Sequence, residues 1–387
     1  MAKRDRRLCR IPSNKPSSVG RELEYVTQVI TAGHFSGDGS FTERCHQWLE
    51  KYLGCTKAFL THSCTGALEM AAMLCEVKPG DEIIMPSLTF VSTANAFVLR
   101  GGVPVFLDIK PETLNIDERL IEEAITSRTK AIVAVHYAGI TCEMDEILEI
   151  AGRYNLLVVE DAALSFLSTY KNKFAGTIGH FGCLSFHETK SIISGEGGAL
   201  LVNDEQFIAR SEMIREKGTN RNQFLRGEVD KYMWTDIGSS YLPSELVAAF
   251  LFAQFEQADK IIERKRLVFR KYFESLSPLA EKGLIKLPTI EFKDSYNGEL
   301  FYIITKSLEE RKRLIQYLKE KNISAVIHYV PLHSSPAGKI YGRTSGGMQV
   351  TDDVSSRLVR LPLYYGITDD DIQKVVTKLK EFYLGMK

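Results

Sequence analysis

Between about residues 60 and 205, short β-branched apolar runs alternate with segments of helical periodicity, and this alternation limits the possible folds more than any other feature. Strands are expected at Glu82–Met85, Pro104–Asp108, Ala131–Tyr137, Leu156–Glu160, Gly182–Phe186 and Ala199–Val202. Helices are expected between them, for example at Thr65–Cys75, Asp117–Ile125 and Glu143–Arg153. Apolar strands of four to seven residues separated by helices imply βαβ crossovers and a largely parallel sheet covered on both faces. A different rhythm follows. A long helical stretch is expected from Pro243 to about Ser277, then a strand at Leu300–Thr305, a helix at Leu308–Lys321, a strand at Ala325–Tyr329 and a helix at Asp369–Tyr383. The change from α/β to α+β character places a domain boundary near residue 255, giving expected domains of 1–255 and 256–387.

Composition removes several functional classes. The 387 residues carry 49 Lys and Arg against 49 Asp and Glu, so the formal net charge is zero. A protein devoted to holding nucleic acid needs a clear basic excess, and no nucleic-acid partner is expected. No run of about 18 apolar residues suggests a membrane span. The basic start (Lys3, Arg4, Arg6, Arg7, Arg10) lacks the apolar stretch of a signal peptide. Seven cysteines, an odd number without a C-x-x-C pair, read as buried thiols in a reducing cytoplasm. No metal site is expected.

Three local patterns carry chemistry. G-x-G-x-x-G and G-x-x-x-x-G-K-[ST] are absent, which removes the usual dinucleotide and P-loop readings. What remains lies where an α/β sheet places its ligands, beyond the C-terminal ends of its strands. Ser63-Cys64-Thr65-Gly66-Ala67 opens a helix and offers an anion cradle suited to phosphate; a plain Ser/Thr N-cap is the simpler alternative. Glu160-Asp161 closes an apolar strand, and its carboxylates either hold a ligand cation or cap the next turn. Lys190 follows the strand ending Ser185-Phe186 and precedes the turn Ser194-Gly195-Glu196-Gly197-Gly198. A solvated lysine is the ordinary reading, but a desolvated one becomes a nucleophile toward an aldehyde. A phosphate seat, a carboxylate and a lysine are together what pyridoxal 5'-phosphate requires. Phe90 offers an apolar face to its ring or is simply a core phenylalanine.

Asp161-Ala162-Ala163, Ser185-Phe186-His187-Glu188-Thr189-Lys190 and Gly195-Glu196-Gly197-Gly198 resemble the DegT/DnrJ/EryC1/StrS family of sugar aminotransferases. Further motifs extend the resemblance over nearly the whole chain: Phe35-Ser36-Gly37-Asp38-Gly39, Pro86-Ser87-Leu88-Thr89-Phe90, His328-Tyr329-Val330-Pro331-Leu332-His333 and Leu361-Pro362-Leu363. Within the family, residues 215–221 and 236–241 look most like the branch making dTDP-4-amino-4,6-dideoxygalactose, which serves enterobacterial common antigen and related lipopolysaccharide glycans.

The resemblance implies an α/β PLP-dependent transferase fold of type I (aspartate aminotransferase-like). Its large domain would hold a mostly parallel seven-stranded sheet, and a smaller α+β C-terminal domain would follow. It further implies a cytoplasmic homodimer with sites at the subunit interface. By motif position, Lys190 would join the cofactor aldehyde, Asp161 would pair with the ring nitrogen, and Phe90 would stack on the ring. Thr65, Gly66 and Ser185 would hold the phosphate, with Ser240 reaching it from the neighbouring subunit. Tyr329 and His333 are candidates for sugar contacts. L-glutamate would supply the amino group and a dTDP-linked 4-keto sugar would receive it. Alternatives are another nucleotide-linked keto sugar, 3-keto or 4-keto, and a cofactor-binding relative without activity. Two positions depart from the family. Leu164 stands where relatives commonly carry Gln or His, and Leu242 stands where many carry a basic residue.

Overall fold

A computed structural model describes residues 11–290 and 296–385. The basic N-terminal residues and Cys9 lie outside the described residues. Seven strands form the main sheet: β1 (Lys57–Thr61), β2 (Glu82–Pro86), β3 (Val103–Leu107), β4 (Thr129–Val135), β5 (Leu157–Asp161), β6 (Phe181–Ser185) and β7 (Gly198–Val202). Later in the chain come β8 (Phe301–Ile304), β9 (Arg343–Thr344) and β10 (Leu358–Leu361). The main sheet has the order β1-β7-β6-β5-β4-β2-β3-β9, so a two-residue eighth strand extends the expected seven. Within it, β7 alone runs antiparallel to its two neighbours, β1 and β6; the other pairings are parallel. Strands β8 and β10 form a separate antiparallel pair.

The alternation of side chains along β5 decides which groups meet. Val158 faces the cluster built around helix Met144–Tyr154, including Met144, Ile147 and Ile150. Val159 faces the opposite cluster, which contains Ala67, Leu68 and Ala71 of helix Cys64–Leu74. Glu160 and Asp161 therefore leave the sheet on opposite faces. A third cluster packs helices Glu22–Ala32, Ser40–Leu53 and Glu245–Phe255 against Ala58, Leu60, Leu184 and Leu201. A fourth gathers β8, β10 and helices Leu308–Glu320 and Asp369–Leu384.

The long helix expected from Pro243 is two helices, Glu245–Phe255 and Ala258–Glu281. Gln257 interrupts them with φ −112° and ψ 11°, outside the helical range. Side chains at the break are claimed by the N-terminal segment: Tyr25 Oη donates to Glu256 at 2.8 Å, and Gln254 Nε2 donates to Ser17 O at 3.2 Å. The second helix changes core along its length. Ala258, Ile261 and Ile262 join the β1-side cluster, while Val268, Phe269 and Tyr272 join that of β8 and β10.

Two other expectations need correction. Residues 117–125 form a 3₁₀ turn, Glu118–Leu120, and a single α-turn, Ile121–Ala124, rather than one helix. Ala325–Tyr329 is not a strand; it makes one bridge, Val326 to Arg360, before His328 and Tyr329 turn toward Tyr137.

After β8 the chain returns to the main sheet and is tied there by buried acids. Asp108 accepts hydrogen bonds from the Val350 and Thr351 amides at 2.9 and 2.8 Å and from Thr351 Oγ1 at 2.7 Å. Glu82, 1% exposed, takes both Nε and Nη2 of Arg343, at 2.9 and 2.8 Å, plus Arg128 and Thr126. The Arg343 fork, offset by burial and helped by Thr126 and Arg128, draws the Glu82 carboxyl down from 4.5 to about 2. A depressed carboxyl stabilises the fold above its unfolded pKa, and that contribution is lost as pH falls toward the folded one. Glu82→Gln is expected to cost about 2–3 kcal/mol at neutral pH. In urea titrations at a series of pH values, the gap to wild type should narrow as pH drops from 4.5 toward 2.

Candidate active site

The helix that opens at Cys64 is capped by Ser63, whose Oγ accepts the Gly66 amide at 3.0 Å. Thr65 Oγ1 lies 2.8 Å from Ser92 Oγ, which ties this helix start to helix Val91–Val98. Two glycines let the backbone crowd here. A Cβ on Gly66 would sit 2.9 Å from His62 Cε1 and 3.0 Å from Tyr241 Cδ1. A Cβ on Gly198, the first residue of β7, would sit 2.4 Å from both Cys64 N and Ser63 C. Strand β7 is thus pressed against the helix start. Its partner in β6, Ser185, pairs directly with Gly198 and is 8% exposed.

Asp161 ends β5 and is buried. Thr93 Oγ1 donates to its Oδ2 at 2.7 Å, and the Ala163 amide donates to Oδ1 at 3.2 Å. Because the Thr93 hydrogen is spent on Asp161, the 2.7 Å contact with Thr89 has Thr89 as donor. The Thr89–Thr93–Asp161 relay was not anticipated. Its signal was present as two threonines four apart, one just before and one inside helix Val91–Val98. The neighbouring acid behaves differently. Glu160 accepts the Gly176, Ile178 and Gly179 amides at 2.8, 2.7 and 2.6 Å on the far face, and His136 Nε2 lies 2.8 Å away. The Cys142 amide donates to His136 Nδ1, which puts the imidazole hydrogen on Nε2, toward Glu160. Glu160 holds a loop, leaving Asp161 for the site.

Lys190 sits in the loop that turns β6 back into β7. The loop is closed by Phe186 N to Gly197 O at 2.9 Å, Ser194 N to Phe186 O at 2.7 Å and Glu188 N to Gly195 O at 2.8 Å. The lysine is half-buried. Burial lowers the proton affinity of its amine; Glu299, Cys64 and Asp161 oppose that shift, and Arg360 adds to it. All four lie within electrostatic reach of the amine, so the structure brings Lys190 together with Asp161 and, through Cys64, with the helix start.

Phe90 is 54% exposed beside them, with its ring centroid 6.1 Å from that of Tyr329. Tyr329 stacks on His328 at 3.7 Å, and Tyr137 Oη is hydrogen-bonded with His328 Nδ1 at 2.6 Å. Ser87 Oγ accepts the His333 amide at 3.1 Å and lies 2.7 Å from His333 Nδ1, and Nε2 lies 3.3 Å from an Asp352 carboxylate oxygen. Ser240 is exposed on the segment before Tyr241, whose carbonyl accepts the His62 amide at 2.9 Å. Leu164 is buried in an apolar cluster with Leu88, Tyr137 and Leu300, against which Tyr329 packs. A Gln or His there would need partners that this cluster does not offer. No structural feature explains Leu242.

This donor set fits a phosphorylated aldehyde. It combines a glycine-lined helix start for an anion, a buried carboxylate held by two hydrogen bonds, and an amine whose proton affinity is depressed. Gly198→Ala should lower stability by about 1–3 kcal/mol, because its Cβ meets backbone that cannot give way. It should also weaken retention of pyridoxal phosphate. Thermal denaturation and equilibrium dialysis with the cofactor check the two effects; unchanged values would contradict the close approach.

Comparison with known proteins agrees with this geometry. The sequence profile described as the DegT/DnrJ/EryC1/StrS aminotransferase family matches residues 16–380. An uncharacterized protein of Methanocaldococcus jannaschii is 35% identical over 378 residues, covering 96% of this chain and 97% of that protein. A GDP-perosamine synthase of Escherichia coli is 31% identical over 375 residues, covering 96% and 98%. Among solved structures, the aminotransferase TlmJ from Streptoalloteichus hindustanus superimposes with a TM-score of 0.88 at 25% identity, covering 97% of this chain and 99% of that one.

Proposed function

Because the chain belongs to the DegT/DnrJ/EryC1/StrS aminotransferase family and is a pyridoxal phosphate-dependent sugar aminotransferase, we propose that it moves the amino group of L-glutamate to the 4-keto carbon of dTDP-4-dehydro-6-deoxy-D-glucose. The products would be 2-oxoglutarate and dTDP-4-amino-4,6-dideoxy-D-galactose. The observation that carries the residue assignment is the meeting of Lys190 with buried Asp161 beside the start of helix Cys64–Leu74.

Pyridoxal phosphate, when bound, supplies an aldehyde that exchanges amino groups and a ring that takes up the electrons released at the adjoining carbon. In this reading Lys190 would hold that aldehyde through Nζ and, when not so engaged, would take up and release a proton there. Burial suits both tasks because it raises the fraction of uncharged amine. Asp161, fixed by Thr93 and the Ala163 amide, keeps the ring nitrogen protonated. Thr65, Gly66 and Ser185 line the phosphate seat, Phe90 covers the ring, and Ser240 of a second copy completes the site in a homodimer. Tyr329, partnered by Phe90, faces the sugar. His333, tied to Ser87 at Nδ1, is the second candidate for a sugar contact.

A second reading concerns the nucleotide. A GDP-perosamine synthase is among the similar proteins, which favours a GDP-linked keto sugar as the alternative acceptor.

Lys190→Ala should abolish the visible absorbance of the bound cofactor and reduce transamination at least about a thousandfold. A variant retaining full turnover would remove the assignment. Purified enzyme with glutamate, offered dTDP- and GDP-linked 4-keto-6-deoxy sugars and a dTDP-linked 3-keto sugar, should show its highest kcat/KM with the dTDP-linked 4-keto sugar. A tenfold preference for another acceptor would replace that substrate assignment.

A further inference from the structure

Directly behind the candidate site lies a buried ionic group that the proposed chemistry does not use. Lys265, in helix Ala258–Glu281, and Glu299, just before β8, form an ion pair at 3.3 Å with side chains 3% and 5% exposed. The residue joining them is Ser191, next to Lys190. Lys265 Nζ donates to Ser191 Oγ at 2.8 Å, and Ser191 Oγ in turn donates to the Glu299 carboxylate. The hydroxyl is therefore used in both directions, and the backbone that carries Lys190 is pinned to two other elements.

The same short segment also holds the other side of the site. Asn297 Nδ2 donates to Leu164 O at 3.1 Å and Phe166 O at 3.0 Å, both in the turn that follows Asp161. Its Oδ1 accepts the Glu299 amide at 2.9 Å. The intervening Gly298 has φ +68°, and a Cβ there would lie 2.8 Å from the Lys265 carbonyl carbon. That geometry suits glycine alone. Three consecutive residues thus grip the acid's turn with the first, approach the helix with the second and grip the lysine's loop with the third.

We infer that Asn297-Gly298-Glu299 is a positioning bracket that fixes Lys190 relative to Asp161, and that the Glu299 carboxylate, held by Lys265 and Ser191, sets the protonation of the Lys190 amine. This rests on the assignment of Lys190 as the cofactor-bearing residue. The ionisable groups acting on that amine are Asp161 from β5, Cys64 from the helix start, Glu299 and Arg360. Lys265 and His328 are coupled to Lys190 as well. Among the charged groups Glu299 acts most strongly, and it favours the protonated amine. Burying an ion pair beside a working amine is costly unless hydrogen bonds offset it, and here Ser191 Oγ bridges the two members.

The test is the titration of Lys190 in the full chain. After removal of cofactor, amine-selective labelling across a pH series, with the Lys190 peptide quantified by mass spectrometry, gives the midpoint for Lys190 alone. Glu299→Gln should lower that midpoint by about one pH unit, a tenfold change in proton affinity, while surface lysines stay unmoved. Because Glu299→Gln strands Lys265 as a buried charge, the double variant Glu299→Gln/Lys265→Met removes both charges. Its midpoint should fall in the same direction by less. A midpoint unchanged in every variant that folds would overturn the role of Glu299. If the wild-type protein as purified shows no visible cofactor band, the Lys190 assignment fails on its own. A band that is present with an unmoved midpoint sinks only the role of Glu299.

Discussion

The site depends on the pairing of β5 with β6 and the insertion of β7 between β6 and β1. Parallel register sets Asp161 opposite Cys183, so Asp161 and Ser185 leave the sheet at the same end. The antiparallel return of β7 then brings Gly198 against the backbone of Ser63 and Cys64. Without a side chain at 198 the strand approaches the helix start, and the loop carrying Lys190 is held over that start. Backbone pairing, more than any side-chain contact, decides that an acid, an amine and a helix start share one end of the sheet.

Much of this was legible in the chain itself. Six strands of the main sheet were readable because they are apolar runs buried on both faces, bounded by turn residues. The order of carboxylate, lysine and glycine turn was readable because each follows directly on such a run. Strand β1 was missed: Lys57-Ala58-Phe59-Leu60-Thr61 is short and begins and ends polar, and only its pairing with β7 defines it. Strand β10 was missed because Arg360 interrupts it, and its identity rests on pairing with β8. The break at Gln257 was hidden because neither Glu256 nor Gln257 disfavours helix strongly, and the partners that claim the neighbouring side chains come from more than 200 positions away. Ala325–Tyr329 shows the converse error, in which β-branched and aromatic composition outweighed the absence of a partner strand.

The ionic surroundings of Lys190 were not legible. Ser191, Lys265 and Glu299 are separated by 74 and 34 positions, and nothing local marks any of them. Burial lowers the proton affinity of the lysine, while Glu299 and Asp161 pull it back and Arg360 opposes them. Leu164 packs in the neighbouring apolar cluster. It keeps the turn after Asp161 apolar, and its carbonyl rather than its side chain supplies the polar contact to Asn297.

Borohydride reduction of the purified protein followed by peptide mapping tests the central claim most directly, since reduction makes the cofactor linkage permanent. The cofactor mass should appear on the single peptide containing Lys190. Its appearance on a peptide holding a different lysine, or on none, would contradict the assignment of the site.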